Sequence, residues 1–226
     1  MKILHIETSS KNCSVAISDG EKLLCLCEET SENYKQSENL HTFVKWALEG
    51  AEIELKDLDA VSVGMGPGSY TGLRIGVSAA KGFCFGLNIP LIAINSLETM
   101  IEPILDQNSD FIIPMIDARR MEVYTAVFDG KTGEPVTQTE AKILDGDSFA
   151  DYLHKKVIFV GDGAAKAQEI LNLPDALYNA SVYPSAKYLI KSAVQKFNVQ
   201  QFEDVAYFEP FYLKEFQGVK KKKTED

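Results

Sequence analysis

The chain has 226 residues, of which 45% are apolar, and a formal net charge of −10 at pH 7. Such a chain can bury a core in one large or two small domains, but its acidity argues against a stand-alone nucleic-acid-binding protein. No apolar run reaches the roughly 18 residues of a membrane span, and the N-terminal "MKILHIETSS" becomes polar too soon for a signal peptide. We therefore expect a cytoplasmic protein without a membrane partner.

The first predicted elements form an antiparallel meander of three strands. The segment "KILHIETS" is an apolar run that ends in polar residues, and "NCSVAISDGEKLLCLCEE" follows it. Asp19-Gly20, in the middle of the second segment, is a strong signal for a hairpin turn.

The next segment, "SENLHTFVKWALEGA", predicts a helix from Ser37 to Glu49 with an apolar stripe on one face. Ser37 is a suitable N-cap, and Gly50 a suitable stop. Trp46 lies off the stripe, so it is either at the edge of the core or an anchor in an interface.

A glycine-rich turn, "GMGPGSYTGLRIG", joins the predicted strand "LDAVSVGM" to a helix over 69–85. A phosphate-binding P-loop would need a lysine that this turn does not supply. A dinucleotide-binding turn would need a third glycine where Ser69 stands. Neither phosphate-binding template fits.

Small residues share one face of this second helix, since Gly72, Gly76 and Ala80 recur at four-residue spacing. Each interior glycine costs about 1 kcal/mol relative to alanine, so something must offset the loss. A smooth face predicts that another element approaches closely. The helix is apolar over so much of its surface that it must be covered on more than one side, by the chain's own sheet and by the first helix, another subunit or both.

The remaining segments repeat the alternation of strand and helix. A strand "IPLIAI" precedes a helix "SLETMIEPIL" that Pro103 shortens. A second half begins at about Asp106 with a hairpin around 118–120, followed by a strand "VIFVGDGA", a helix "PSAKYLIKSAVQKF" and the closing "FEPFYLKEF". This layout predicts two α/β halves, residues 1–105 and 106–226.

Histidines and cysteines do not form a metal-binding pattern. None of the three histidines pairs with another at helical spacing, and His5 is best explained as a packed core residue. Cys25 and Cys27 share one face of a strand, but a zinc site would need a second Cys or His pair. We expect reduced thiols and no bound metal.

Glu7 is the carboxylate with the most suggestive position. It ends the first strand and is followed by Thr8, Ser9 and a tight turn, where a phosphate or a metal-bound water could sit. These three residues are the candidate nucleotide site, and a plain polar strand end is the alternative.

Two basic groups are candidate anion sites. Asp117 with Arg119 and Arg120 could bind an anion or form a local ion pair in a hairpin turn. The run Lys220–Lys223 near the end is either a solvated tail or a contact to phosphates.

Four segments together resemble the TsaB (YeaZ) family: "ILHIETSSKNCSVAI", "GMGPGSYTGLRIGVSAAKGFCFGLNIPLIAINSLETM", "IDARRMEVY" and "FEPFYLK". The resemblance implies an ASKHA fold, the duplicated α/β architecture of actin, Hsp70 and sugar kinases. It also implies a role in making N6-threonylcarbamoyladenosine at position 37 of ANN-decoding tRNAs. Members of this family are the dimerisation subunit, which holds the catalytic subunit TsaD, recruits the ATPase TsaE with it, and meets tRNA through that complex.

The same resemblance implies that the two N-terminal helices form the partner-binding surface. The candidate contact residues on them are Leu40, Phe43, Trp46, Gly72, Leu73, Gly76, Val77, Ala80 and Phe83.

The resemblance also argues against catalysis. TsaD proteins carry a His-x-x-x-His metal pair where this chain has Ser96 and Met100, and neither can replace an imidazole. Glu7 stands where relatives commonly have Asp. We expect no catalytic residue, metal or cofactor. The alternatives are an autonomous ASKHA enzyme, either a metal-dependent glycoprotease or an ATP-using phosphotransferase, and a homodimer with a role of its own.

Overall fold

The computed structural model describes residues 1–31, 36–105, 107–152, 154–171 and 173–214. The run Lys220–Lys223, the side chain of Ser37 and the proposed boundary residue Asp106 lie outside the described part. Two sheets, each flanked by helices, make up the fold.

The first sheet has the strand order β3-β2-β1-β4-β5. The predicted meander is confirmed, since β2 pairs antiparallel with both β1 and β3, while β4 and β5 continue in parallel. The strands are β1 (Lys2–Glu7), β2 (Asn12–Asp19), β3 (Lys22–Thr30), β4 (Ala60–Gly66) and β5 (Leu91–Asn95).

Two helices pack on this sheet and share its main core cluster: α1 (Gln36–Gly50) and α2 (Tyr70–Leu87). Ser69 caps α2, because its hydroxyl accepts a hydrogen bond from the backbone N–H of Gly72 at 3.3 Å. Asn88 ends the helix in the left-handed conformation. Both predicted helices are therefore present, within two residues of the expected ends.

The second sheet has the order β11-β10-β6-β7-β9, with β8 paired to β6. The predicted hairpin around 118–120 joins β6 to β7. As expected, Pro103 shortens the preceding helix, which ends at Ile101 and continues as a 3-10 turn that contains the proline. The elements are α3 (Glu98–Ile101), β6 (Phe111–Asp117), β7 (Glu122–Thr125), β8 (Phe128–Asp129), β9 (Glu140–Ile143), β10 (Val157–Val160), α4 (Gly163–Ile170) and β11 (Leu177–Asn179).

The last helix, α5 (Ile190–Asn198), returns to the first sheet, where it packs against Ile3, Ile92 and Ile94. A division after residue 105 separates the two sheets, but it does not separate the helices that cover them. The two-domain boundary therefore stays a prediction. In the described ranges no helix is long and apolar enough to cross a membrane.

His5 lies in the core, as expected, between two serines on the neighbouring strands. Its Nδ1 is 2.7 Å from the Ser62 hydroxyl, and its Nε2 is 2.8 Å from the Ser18 hydroxyl. Burial lowers the pKa of His5 to about 3. The ring is therefore neutral in the folded chain at neutral pH.

This burial predicts acid sensitivity. The unfolded chain protonates His5 below its ordinary pKa of about 6.5, while the folded chain does not. The contribution of His5 to the free energy of unfolding is therefore fully present above about pH 6.5 and is lost as the pH is lowered towards 3. The loss is about 2 kcal/mol at pH 5. Urea unfolding at pH 7.5 and pH 5 measures the loss, and His5→Asn should reduce the difference between the two pH values. An equal difference in the unmodified chain and in His5→Asn would contradict the assignment of the acid sensitivity to His5.

Candidate functional site

The Glu7 carboxylate is fully buried at the end of β1. The backbone N–H of Ser9 donates to its Oε1 at 2.7 Å, and the Ser96 hydroxyl donates to its Oε2 at 3.0 Å. Gly64 of β4 lies against the carboxylate, where a Cβ atom would collide with it. Burial raises the pKa of Glu7, although the hydrogen bonds from Ser9 and Ser96 oppose the shift.

The rest of the candidate nucleotide site is closed as well. Thr8 and Ser9 have no exposed surface. The Thr8 hydroxyl donates to the carbonyl of Gly72 at 2.8 Å, and the backbone N–H of Ser69 donates to the carbonyl of Ser9 at 2.6 Å. Contrary to the expectation, Glu7, Thr8 and Ser9 leave no accessible surface for a nucleotide, because the start of α2 packs directly on this turn.

This packing explains the glycines of α2. A Cβ atom at Gly72 would collide with the carbonyl oxygen of Thr8, and one at Gly76 would collide with the Thr8 hydroxyl. The close approach that the glycine penalty predicts is present. However, the approaching element is the chain's own turn after β1 and not a partner.

Most of the candidate partner residues are therefore in the chain's own core. Seven of them are buried and cannot contact a partner while the chain keeps this fold: Leu40, Phe43, Gly72, Leu73, Gly76, Val77 and Ala80. A helical pattern in the sequence identifies a face that must be buried, but it does not identify the element that packs against that face.

Trp46 of α1 and Phe83 of α2 remain accessible. Trp46 is 52% exposed, which decides against the core edge. Phe83 is half-buried, and its ring lies edge-on to His41 with 6.1 Å between the ring centroids. A groove of about 510 Å³ runs between the helices and is lined by His41, Ile75, Ser78, Ala79, Gly82 and Phe83.

Gly82 of the groove, Gly86 and an aromatic residue are all exposed on α2. Gly82 and Gly86 have no other part of the described chain within 4 Å of the place where a Cβ would stand. Phe85 is 85% exposed. Sequence reasoning missed these three residues, although Gly82 and Gly86 repeat the four-residue spacing of Gly72 and Gly76. We call the exposed surface formed by Trp46, Phe85 and the groove residues the α1–α2 face.

The residues that stand at the expected metal positions are buried and have other roles. Ser96 binds Glu7, and Met100 packs in a core cluster beneath the second sheet. Within the described ranges no three His, Cys, Asp or Glu residues come together as a metal site.

Asp117 forms a local ion pair, but with a different partner from the one the sequence suggested. Its Oδ1 accepts from the Lys166 ammonium and from the backbone N–H of Arg119, each at 2.6 Å. Its own N–H donates to Asp162 at 2.8 Å. The arrangement stabilises the β6–β7 turn.

Known proteins with the same fold and sequence features identify the family. Over residues 28–217 the chain matches the family model for TsaD, described as tRNA N6-adenosine threonylcarbamoyltransferase. The tRNA threonylcarbamoyladenosine biosynthesis protein TsaB of Buchnera aphidicola subsp. Schizaphis graminum is 31% identical over 196 residues, which are 83% of this chain and 90% of that protein. The chain belongs to the TsaB (YeaZ) family.

Other TsaB proteins and solved structures agree with this assignment. TsaB of Bacillus subtilis is 29% identical over 76% of this chain and 75% of its own length. The structure of YeaZ from Pseudomonas aeruginosa has a TM-score of 0.80 at 25% identity and covers 94% of this chain and 99% of that one. The resemblance read from the sequence is confirmed.

A more distant structure concerns the fold alone. The activator of 2-hydroxyisocaproyl-CoA dehydratase from Clostridium difficile, with bound ADPNP, has a TM-score of 0.50 at 8% identity, over 90% of this chain and 99% of that one. The ASKHA architecture expected for a TsaB-family chain is therefore confirmed.

Proposed function

We propose that this chain serves in the biosynthesis of N6-threonylcarbamoyladenosine at position 37 of ANN-decoding tRNAs as a non-catalytic dimerisation subunit. It holds a TsaD-like catalytic subunit, and the two together recruit a TsaE-like ATPase. The names of the TsaB relatives support the pathway. The observation that carries the scaffold role is the exposed α1–α2 face.

The α1–α2 face has the composition of an interface core. It combines an exposed tryptophan, an exposed phenylalanine and a shallow apolar groove within two adjacent helices. Tryptophan is among the residues most enriched at energetic hot spots of interfaces. A partner that covers Trp46 and Phe85 removes from water two side chains that the chain itself leaves exposed.

Gly82 and Gly86 support the same conclusion from backbone energetics. Each costs about 1 kcal/mol of helix stability, and in the free chain no contact from a described residue offsets that cost at either position. At an interface, two glycines on the exposed side of a helix permit a partner helix to pack at short distance. The loss is then offset by the packing of the assembled complex.

The turn after β1 supports a role without nucleotide chemistry. Its buried carboxylate accepts from Ser96, the Thr8 hydroxyl donates to Gly72, and the Ser9 carbonyl accepts from Ser69. A phosphotransferase needs this region open to a nucleotide. A glycoprotease of the metal-dependent type needs ligands where Ser96 and Met100 stand.

Trp46→Ala tests the proposal directly. We expect the affinity for a TsaD-like subunit to fall roughly 30-fold, the effect of a hot-spot residue worth about 2 kcal/mol, because the variant removes an exposed anchor. Isothermal titration calorimetry measures the affinity. Because half of the side chain is already in water, the free energy of unfolding should change by less than about 1 kcal/mol.

Tyr207→Ala is the matched control, because Tyr207 is an 84% exposed aromatic residue outside the α1–α2 face. It should bind the TsaD-like subunit as the unmodified chain does. An unchanged affinity of Trp46→Ala would contradict the proposed surface. If Trp46→Ala dissociated only a homodimer and left the TsaD-like subunit bound, the surface would serve self-association instead.

A further inference from the structure

The turn between β6 and β7 has a strained backbone. Arg119 and Arg120 both lie in the left-handed region, with φ angles of 68° and 53°. Residues other than glycine, asparagine and aspartate are disfavoured there, because the Cβ atom crowds the backbone. The β2–β3 hairpin meets the same requirement with a glycine, Gly20, whose φ is 56°. Two consecutive arginines in this conformation lower the stability of the chain, which indicates a role that needs their side chains.

A lysine of α4 holds the turn in this conformation. The Lys166 ammonium donates to the carbonyl of Arg120 at 3.0 Å and to that of Glu122 at 2.5 Å. It also donates to the Asp117 carboxylate at 2.6 Å. Only 16% of the Lys166 side chain is exposed, and these three bonds use all of its donors. The two arginines are therefore presented from a backbone that is held in place.

The carboxylates beside the turn are already occupied within the fold. Asp117 is paired with Lys166, and Glu122 is paired with Lys214. The half-buried Asp162 accepts the backbone N–H of Asp117 at 2.8 Å, and burial raises the pKa of its carboxyl group. These three acidic groups therefore do not pair with the arginines.

The side chains of Arg119 and Arg120 are exposed. Among the residues that the structure describes, none forms a hydrogen bond or an ion pair with either guanidinium group. The chain as a whole has a net charge of −10, so two unpaired cations at one turn differ in sign from the rest of the molecule. A local field of this kind attracts anions.

We propose that the Arg119–Arg120 turn binds the phosphate groups of an RNA backbone. The choice of RNA rests on the proposed function and deepens it, because there tRNA is met only through the complex. A guanidinium group binds a phosphate through two parallel hydrogen bonds and stays charged at any physiological pH. Two adjacent arginines, with Cα atoms about 3.8 Å apart, can contact neighbouring phosphates of one strand.

The overall charge favours RNA over an acidic protein segment as the ligand. A chain of net charge −10 repels a tRNA unless cations stand at the place of contact. The strained turn supplies two such cations, and it supplies them as arginines, which also offer the paired donors that a phosphate accepts. An acidic protein segment would use the same two groups, so the experiment includes one.

The experiment uses the full chain and a fluorescein-labelled, unmodified ANN-decoding tRNA, with binding followed by fluorescence anisotropy over a range of salt concentrations. The double variant Arg119→Asn/Arg120→Gly should lower the affinity at low salt at least about tenfold. The slope of log affinity against log salt concentration should fall by about 1 for each phosphate contact that is lost. Lysine at both positions keeps the charges but not the paired donors, so its affinity should be intermediate.

Melting temperature is the second measurement, and it should move in the opposite direction. Asparagine and glycine accept the left-handed conformation, so Arg119→Asn/Arg120→Gly should melt at or above the temperature of the unmodified chain. The matched control is Lys155→Gln/Lys156→Gln. It also removes two exposed positive charges, but at the opposite end of the second sheet, because β10 runs parallel to β6 and begins beside its start. The control should leave the affinity for tRNA nearly unchanged.

Three results would overturn the proposal: no binding of the tRNA by the chain, equal losses in the two double variants, or a tighter complex with labelled poly-glutamate than with the tRNA. Trp46→Ala should bind the tRNA as the unmodified chain does. Because no other subunit is present in this assay, its result is independent of whether the α1–α2 face binds a TsaD-like protein.

Discussion

Replacing Gly76 with leucine is expected to prevent the chain from folding. Gly76 faces the turn after β1, and even a single Cβ atom there would collide with the Thr8 hydroxyl. Leucine adds three more carbon atoms at a position where α2 cannot move away without opening the core that it shares with β1 and β4. We expect a loss on the order of 4 kcal/mol or more, a large part of the about 5–15 kcal/mol by which an ordinary domain is stable.

Thermal unfolding followed by circular dichroism measures this effect. Gly76→Leu should show little native helix signal at 25 °C, or a melting temperature far below that of the unmodified chain. Gly76→Ala should lie between the two, since it adds only the Cβ. A Gly76→Leu chain as stable as the unmodified one would mean that α2 does not rest on the turn after β1.

Replacing Gly82 with leucine should raise the stability of the free chain, and it should strongly lower the affinity for the TsaD-like subunit. Gly82 has open space around its Cβ position, so leucine gains helix propensity and raises the stability of the free chain by about 1 kcal/mol. In the complex the leucine stands in the groove between α1 and α2. Overpacking an interface of this kind costs about 1–3 kcal/mol, a fall in affinity of roughly 5- to 150-fold.

Melting curves and calorimetric titration with the TsaD-like subunit, run side by side, separate these effects. Gly82→Ala is the milder substitution at the same position. It should raise the stability of the free chain nearly as much as Gly82→Leu does, and it should lower the affinity for the TsaD-like subunit less. If Gly82→Leu bound with undiminished affinity, the groove would not be in the interface. If it unfolded the chain, the space around Gly82 would be filled by the chain itself.

The two glycine pairs of α2, Gly72 with Gly76 and Gly82 with Gly86, show how much about the packing of a helix can be predicted from its sequence. Helix propensity alone indicates that Gly72 and Gly76 need a compensating contact. It does not indicate whether the contact comes from inside or outside the chain, because a turn 64 residues earlier supplies it through Thr8. Trp46 could be located off the apolar stripe from periodicity, but periodicity does not tell whether such a side chain lies at the edge of the core or, as here, is 52% exposed.

Long-range contacts explain the other differences between expectation and structure. The turn at Glu7 suggested an open polar site, but Ser96, 89 residues away, donates to its carboxylate and helps to close it. The order of strands and helices was predictable from alternating patterns and turn residues such as Asp19-Gly20. The course of residues 203–214 over α2 was not, because the few polar and aromatic contacts that hold this segment leave no periodic pattern in the sequence.

The scaffold role is tested most directly by reconstituting threonylcarbamoyl transfer onto an unmodified ANN-decoding tRNA with purified TsaD-like and TsaE-like proteins. Activity should require this chain, the chain alone should form no product, and Trp46→Ala should lower the rate at limiting concentration but restore it at saturating concentration. Recovery at high concentration is the mark of lost docking rather than lost chemistry. Full activity without the chain, product formation by the chain alone, or a defect in Trp46→Ala that no concentration repairs would contradict the account.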